Sequence, residues 1–296
     1  MRLLAGIVGT ALLAQTQAQK DGLWAVYDVA LAKAKHIDLT HTISPEMPLW
    51  RGFGSMEFSA AVNKETGQAF SYATDLFVAN AYRLPTDQLG TQLDAPAHFS
   101  AHYAASDEMP ATFALRKLCV IDASPQTRAN ASYALTVADV RAWEAQHGRI
   151  PRRSVVFVRS DWSRTWPAVN TDVFPQVSLA AVRFLHQQRD ILFHGHEPLD
   201  TDMTPRFDAE RWILTHGFAQ AEGVANLHLV PPTGCLLSTG FPKLRGGTGN
   251  YVRYVAVCPP EWPHGIAPGQ TAEAPLPRFD APLAWDAQKG YRARQH

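Results

Sequence analysis

Residues 88–99 read Gln88-Leu89-Gly90-Thr91-Gln92-Leu93-Asp94-Ala95-Pro96-Ala97-His98-Phe99. Within this stretch Gln88, Thr91, Gln92, Asp94, Pro96 and His98 can bind or transfer charge, or bend the backbone. Gln88, Gln92, Asp94 and His98 stand at even spacing, so an extended strand turns all four to one face. Gly90 permits close backbone approach, and Pro96 ends ordinary strand pairing just ahead of His98. Polar side chains buried on one face must be satisfied, and a metal ion or a substrate does that well. A solvated strand end gives the same spacing, because periodicity alone does not identify chemistry.

The 296 residues, 46% of them hydrophobic, suffice for one large domain or two small ones. Lys+Arg and Asp+Glu both total 27, so no basic excess points to nucleic acid. Small molecules and further copies of the chain are the expected partners. At the N-terminus Arg2 precedes an apolar run, Leu3 to Ala14, and then Gln15-Thr16-Gln17-Ala18. A charged start, a run too short to span a bilayer and a small-x-small site describe a signal peptide over residues 1–18. The reading is an exported protein whose mature chain starts near Gln19, with no membrane attachment once the peptide is removed. Cys119, Cys235 and Cys258 all lie in apolar surroundings and read as small buried hydrophobes. One disulfide is compatible with export, and the sequence does not choose the pair. Asn130-Ala131-Ser132 forms a glycosylation sequon.

Patterning predicts a helix over 20–35, strands over 36–43, 68–82, 88–93 and 118–121, a helix over 135–147 capped by Thr136, and a central strand at 154–159. A helix over 178–188, a strand at 191–194 and a helix over 208–216 closed by Gly217 follow. Late strands fall at 235–238 and 251–257. Alternating strands and helices argue for α/β layers in one domain spanning 19–296.

Several motifs can be set aside. Gly246-Gly247-Thr248-Gly249 lacks the Gly-Lys-Ser/Thr of a phosphate loop and reads as a tight hairpin. Gly-x-Ser-x-Gly is absent, and His196-Glu197 does not open a His-Glu-x-x-His helix. A second polar cluster, residues 194–202, follows a predicted strand and is either a functional or a solvated loop. Glu222 lies in an apolar stretch and, if buried, needs a metal or a proton as partner.

The stretch at 88–99 resembles the signature of the cyclase family, His-x-Gly-Thr-His/x-x-Asp-x-Pro-x-His with His or another residue at the fifth position; the family includes bacterial kynurenine formamidases and isatin hydrolases. Four further elements resemble that family in order: His36 to His41 with Met47-Pro48, Gly195 to Asp202, Glu222 to Leu227, and Gly246 to Arg253. They span roughly residues 36–260. The resemblance implies a single-domain α/β cyclase-like fold, with a mixed central sheet and flanking helices, that assembles as a homo-oligomer. It also implies a divalent metal, manganese or zinc with magnesium as a further option, activating water against an amide or lactam carbonyl.

Carried over by position, Gln88 and Gln92 stand where the family has metal-binding histidines. Asp94 matches the ligand aspartate, His98 the catalytic histidine, and Glu222 a later metal-ligand or polar position. A late histidine ligand falls near Glu210. Such an oxygen-rich set favours harder ions. The expected metal residues are Gln88, Gln92 and Asp94; His98 and Glu222 are catalytic; His196 and Trp50 touch substrate, with Phe53 and Trp162 as further aromatic walls.

The resulting expectation is a hydrolase of carbon–nitrogen bonds other than peptide bonds. It would act on a lactam, lactone or N-formyl arylamine of the kind met in tryptophan catabolism, His98 taking and returning the proton. The alternatives are a cyclase, dehydratase or isomerase using His98 and Glu222 as acid and base, and a metal-free binding protein.

Overall fold

The stretch at 88–99 folds onto the edge of an eight-stranded mixed sheet in the computed structural model, which describes residues 22–294. The expected signal peptide lies outside the described residues. In chain order the strands are β1 (Lys35–Asp38), β2 (Glu57–Ala60), β3 (Asn80–Arg83), β4 (Gln92–Asp94), β5 (Leu115–Asp122), β6 (Ala134–Leu135) and β7 (Val155–Arg159). They continue as β8 (Gln176–Val177), β9 (Phe193–His196), β10 (Ala219–Glu222), β11 (Cys235–Gly240), β12 (Arg253–Cys258), β13 (Leu283–Asp286) and β14 (Tyr291–Arg294). The main sheet runs β1-β12-β11-β5-β7-β9-β10-β4, with β5, β7, β9 and β10 parallel and β4 antiparallel to β10.

The sheet curls until its edges meet. Gln92 bridges Tyr251, just ahead of β12, and Thr40, just after β1, bridges Val224, just after β10. Period-two alternation sorts side chains into two cores. Leu118, Val120, Val155, Phe157, Phe193 and Ala221 fill the inside of the curl. Cys119, Ile121, Val156 and Val158 face outward, onto the helices Val137–His147, Leu179–Arg183 and Asp208–Thr215. Thr136 caps the first of these, its hydroxyl accepting from Asp139 N at 3.2 Å, as the sequence predicts.

Three expectations need correction. Residues 68–82 are not one strand: only Asn80–Arg83 is a strand of any length there, paired with Glu57–Ala60. Residues 246–249 are not a tight hairpin but part of the long connection from Gly240 to Arg253. Their amides are drawn to a carboxylate, with Thr248 N and Gly249 N donating to Asp87 Oδ2 at 2.7 and 3.0 Å. The extended run at 88–98 is also broken, because Gly90 turns through φ +58° and Pro96–His98 is a 3₁₀ turn. Cys235 and Cys258 form a disulfide between neighbouring strands, and Cys119 is free and buried.

Candidate active site

Alternation that is apolar on both faces of β5 and β7 becomes polar on the outer face of β9, β10 and β4. On that face lie His194, His196, Gln220, Glu222, Gln92 and Asp94, all buried. The β4–β10 register sets Gln220 opposite Asp94 and Glu222 opposite Gln92. Each amide therefore meets one carboxylate across the ladder and another two residues along its own strand.

The result is a closed ring of four side chains. Gln92 Nε2 donates to Glu222 Oε2 at 2.8 Å and to Asp94 Oδ1 at 3.3 Å. Gln220 Nε2 donates to Glu222 Oε1 at 2.9 Å and to Asp94 Oδ2 at 3.2 Å. Thr201 donates to Gln220 Oε1 at 2.9 Å, which fixes which end of that amide faces the acids.

Glu210, on the helix laid across this face, completes a trio. Single oxygens of Asp94, Glu210 and Glu222 lie within 4.8 Å of one another. Glu210 Oε2 is buried without a hydrogen-bond partner. Burial pushes the Asp94 carboxyl up to about 7, the Gln220 and Gln92 amides opposing and the Asp200 and Asp87 charges adding to the rise. Glu222 and Glu210 are raised well above the ordinary carboxylate range by burial first and then by Asp94, with Glu210 adding to the rise at Glu222 and Asp200 and Asp202 to that at Glu210. Among the described residues no lysine or arginine pairs with any of the three. Three mutually repelling buried acids call for protons or a cation. Their geometry and the orphaned Glu210 oxygen fit a divalent ion, and an all-oxygen donor set suits manganese or magnesium better than zinc.

A cavity of about 250 Å³ opens onto two of the trio, with Asp94 behind them. Glu210 and Glu222 lie on its floor, Gln88, Gln92 and His98 on its walls, and Trp50, Phe53 and Phe99 supply aromatic surface. His98 is half-buried, and desolvation lowers its pKa, opposed in part by Asp87, so the ring is neutral near pH 7 and able to accept a proton. Gln88 is only 7% exposed and its Nε2 has no partner. An added Cβ on Gly249 would sit 2.2 Å from Gln88 Cγ, so that glycine makes room for the side chain.

Gln88, Gln92, Asp94, His98, Glu222 and Trp50 are thus brought together. His196 meets them only from behind the ring, its Nε2 3.9 Å from Glu222 Oε1 and 2.9 Å from Thr201 Oγ1 and its Nδ1 3.1 Å from Pro198 O, and it is absent from the cavity wall. Its place is that of a brace for Thr201 and Gln220, in place of the expected substrate contact. Gln220 escapes the sequence reading, which assigns no strand to 219–222; its two-residue offset from Glu222 is the available sign.

The elements around the ring are clasped by distant bonds. Thr91 Oγ1 donates to Gly223 O at 2.6 Å and accepts from His41 N at 2.8 Å. Arg253 grips Asp38 through Nε and Nη2 at 2.9 and 2.6 Å.

The Cyclase family model matches residues 37–203, more than half of the chain, and the chain belongs to the cyclase family. Among its relatives, the isatin hydrolase of Roseibium aggregatum is 27% identical over 243 residues, which cover 75% of this chain and 91% of that protein. The solved isatin hydrolase A from Labrenzia aggregata, bound to benzyl benzoate, matches with a TM-score of 0.69 at 26% identity, over 84% of this chain and 99% of that one. Isatin hydrolase A from Ralstonia solanacearum matches at 0.67 and 26% identity, over 83% and 97% of the two chains. Family and relatives make this chain a hydrolase of the cyclase family.

Proposed function

We propose that the protein hydrolyses the carbon–nitrogen bond of a small cyclic or aryl amide: a lactam such as isatin, or an N-formyl arylamine. A lactone is the carbon–oxygen counterpart. The observation that carries this reading is the uncompensated trio Asp94, Glu210 and Glu222 beneath an aromatic cavity that also presents a neutral His98. Asp94, Glu210 and Glu222 would hold a divalent cation, with manganese or magnesium favoured by the oxygen donors. When bound, such an ion polarises the carbonyl and acidifies water.

The remaining work falls to side chains on the cavity wall. His98 takes the proton from the attacking water as the carbon–oxygen bond forms, and returns it to the leaving nitrogen as the carbon–nitrogen bond breaks. The products are a carboxylate and an amine, joined in one molecule if the substrate was a ring, and the second proton of the water is released to solvent. Gln88 lines the cavity and its buried amide nitrogen is unpaired, so in this reading it turns to donate to the substrate oxygen as negative charge develops there. Gln92 and Gln220 keep the carboxylates of Asp94 and Glu222 aligned. Trp50, Phe53 and Phe99 take the aryl ring and exclude water.

One observation favours a second reading. Amide N–H groups already reach all four oxygens of Asp94 and Glu222, so the ring is satisfied in part without a cation. A metal-free binding protein, or a non-hydrolytic cyclase, dehydratase or isomerase, would use that state. The test is turnover of isatin and N-formylaniline by wild type, chelated wild type, Asp94→Asn and His98→Ala, alongside metal content by mass spectrometry. Activity that tracks one bound divalent ion and both residues supports the hydrolase; full activity in chelator and in Asp94→Asn rules it out. The reading of an exported protein is supported by the Cys235–Cys258 disulfide, since such bonds persist in oxidising compartments.

A further inference from the structure

The cavity above the acids does not end at its own wall. A second hollow of about 410 Å³ adjoins it, and Trp50, Leu199, Asp200 and Phe207 line both. At about 250 Å³ the inner cavity falls below the roughly 300–1,000 Å³ usual for small-molecule sites, whereas the two together fall inside that range.

The aromatic residues at the divide are held there by unusual backbone. Phe207 adopts φ +52°, a left-handed conformation that a bulky residue rarely takes. A Cβ at position 52 would lie 1.4 Å from Trp50 Cζ3, so the indole occupies space that only a glycine leaves open. Strain and a missing Cβ both fix rings at the passage between the hollows.

The outer hollow is aromatic and apolar in part, with Trp162, Phe174, Met203 and Pro205 on its walls. Trp162 is anchored by its Nε1, which donates to Asn170 O at 2.9 Å. Of the charges there, Asp202 is engaged, because its Oδ2 accepts Ala209 N and Glu210 N at 2.8 and 3.3 Å and its Oδ1 accepts Thr204 N at 3.0 Å. Asp200 belongs to the shared divide, and Asp172 is exposed. Arg51 is exposed; its charge acts on Asp200, but it forms no salt bridge or hydrogen bond among the described residues, which leaves its five N–H donors for a ligand.

We propose that the outer hollow is a second substrate subsite, which takes an aromatic arm extending from the amide and ending in a carboxylate held by Arg51. The substrate class is therefore a two-ring aryl amide with an anionic far end. This rests on the hydrolase reading for the chemistry of the inner cavity, but not for binding.

The test is calorimetric titration of 4-(phenylcarbamoyl)benzoate, the two-ring probe, and of N-formylaniline, the one-ring probe. Wild type, Arg51→Met, Trp162→Ala and Thr171→Trp are compared, the last placing bulk in the hollow from an exposed position. Wild type should bind the two-ring probe at least tenfold more tightly than the one-ring probe. Each variant that retains the wild-type circular dichroism should lose most of that ratio. Equal affinities in wild type, or a ratio kept in both Arg51→Met and Thr171→Trp, overturn the subsite. Product release is followed separately by chromatography. Absence of turnover with the affinity ratio intact removes the hydrolase and leaves the subsite, while turnover of the one-ring probe with no ratio does the reverse.

Discussion

Gln92 and Glu222 face each other across the β4–β10 ladder, the amide Nε2 of one 2.8 Å from the carboxylate Oε2 of the other. Gln220 and Asp94 repeat the arrangement one pair along, at 3.2 Å. In the family signature that the 88–99 stretch resembles, position 92 holds a histidine that binds the metal. Here the amide donates to the acids that would hold the cation. In the proposed site the Gln92 amide would lower the repulsion between the acids from outside the ligand set, in place of the expected ligand role, and would leave the negative charge for an ion on oxygens.

Removing one of these donors should therefore weaken the protein most when no cation is present. Gln92→Leu deletes the hydrogen bonds to both Asp94 and Glu222, and bonds to charged acceptors contribute about 1.5–3 kcal/mol each. We expect chelated Gln92→Leu to lose about 2–4 kcal/mol in urea unfolding, and saturating manganese to recover a large part of it. A loss that is the same with and without manganese would separate the ring from the cation.

His98 predicts the acid limb of the reaction. Burial lowers its folded pKa below the ordinary 6.5, and the proposed chemistry needs the neutral ring. Activity should be flat through pH 7 and fall only as pH drops through a value below 6.5. The measurement is kcat/KM from pH 4.5 to 8 at saturating cation, in wild type and His98→Gln. A midpoint above 6.5, or an unchanged limb in the variant, assigns the proton transfer to another group.

Glu197 gives a stability effect of the opposite sense to ordinary acid denaturation. Burial raises its pKa from 4.5 to about 7, although Ser163 N and Ser160 Oγ donate to it at 3.0 and 3.1 Å. A carboxyl raised on folding contributes stability in full below its unfolded value and loses it as pH climbs through the folded value. Between pH 4.5 and pH 8 the loss reaches about 3 kcal/mol for a shift of this size. Urea unfolding at pH 5 and pH 8 should show that fall in wild type and a flatter profile in Glu197→Gln. Equal slopes in the two proteins would show that Glu197 stays ionised in the fold.

How much of this the sequence discloses depends on the range of the interaction that decides each feature. Val155–Arg159 is legible because a strand buried on both faces must be apolar throughout, a purely local pattern. The cluster of Gln88, Gln92, Asp94 and His98 is legible in composition, but not in shape. Gly90 and the turn at Pro96 bring Gln88 and His98 to the cavity from either end of a three-residue strand, which even spacing cannot convey. The role of Gln220 is hidden because it depends on register with Asp94, 126 residues away. Residues 246–249 misled for a similar reason, since their amides answer to Asp87, far back in the chain.

Close approach of the two halves of the site is also set at long range, at Gly223. It sits at φ +60°, and an added Cβ would lie 2.1 Å from Gly90 O and 3.1 Å from Thr91 N. Gly223→Ala must therefore both strain its own backbone and push β4 away from β10. Gly148 is the control: it has φ +85° at the end of helix Val137–His147, with nothing within 4 Å of an added Cβ. Left-handed strain at Gly223 is about 1–2 kcal/mol, and forced overpacking adds about 1–3 kcal/mol. Gly148, at φ +85° and ψ 169°, lies in a region kept almost wholly to glycine, and we expect Gly148→Ala to lose about 1–3 kcal/mol with activity intact. Gly223→Ala should lose about 2–5 kcal/mol, together with at least tenfold of any activity that needs the Gln92–Glu222 and Gln220–Asp94 pairs in register. Equal losses in the two variants would mean that β4 can yield at Gly90, and that the ring does not require the close contact.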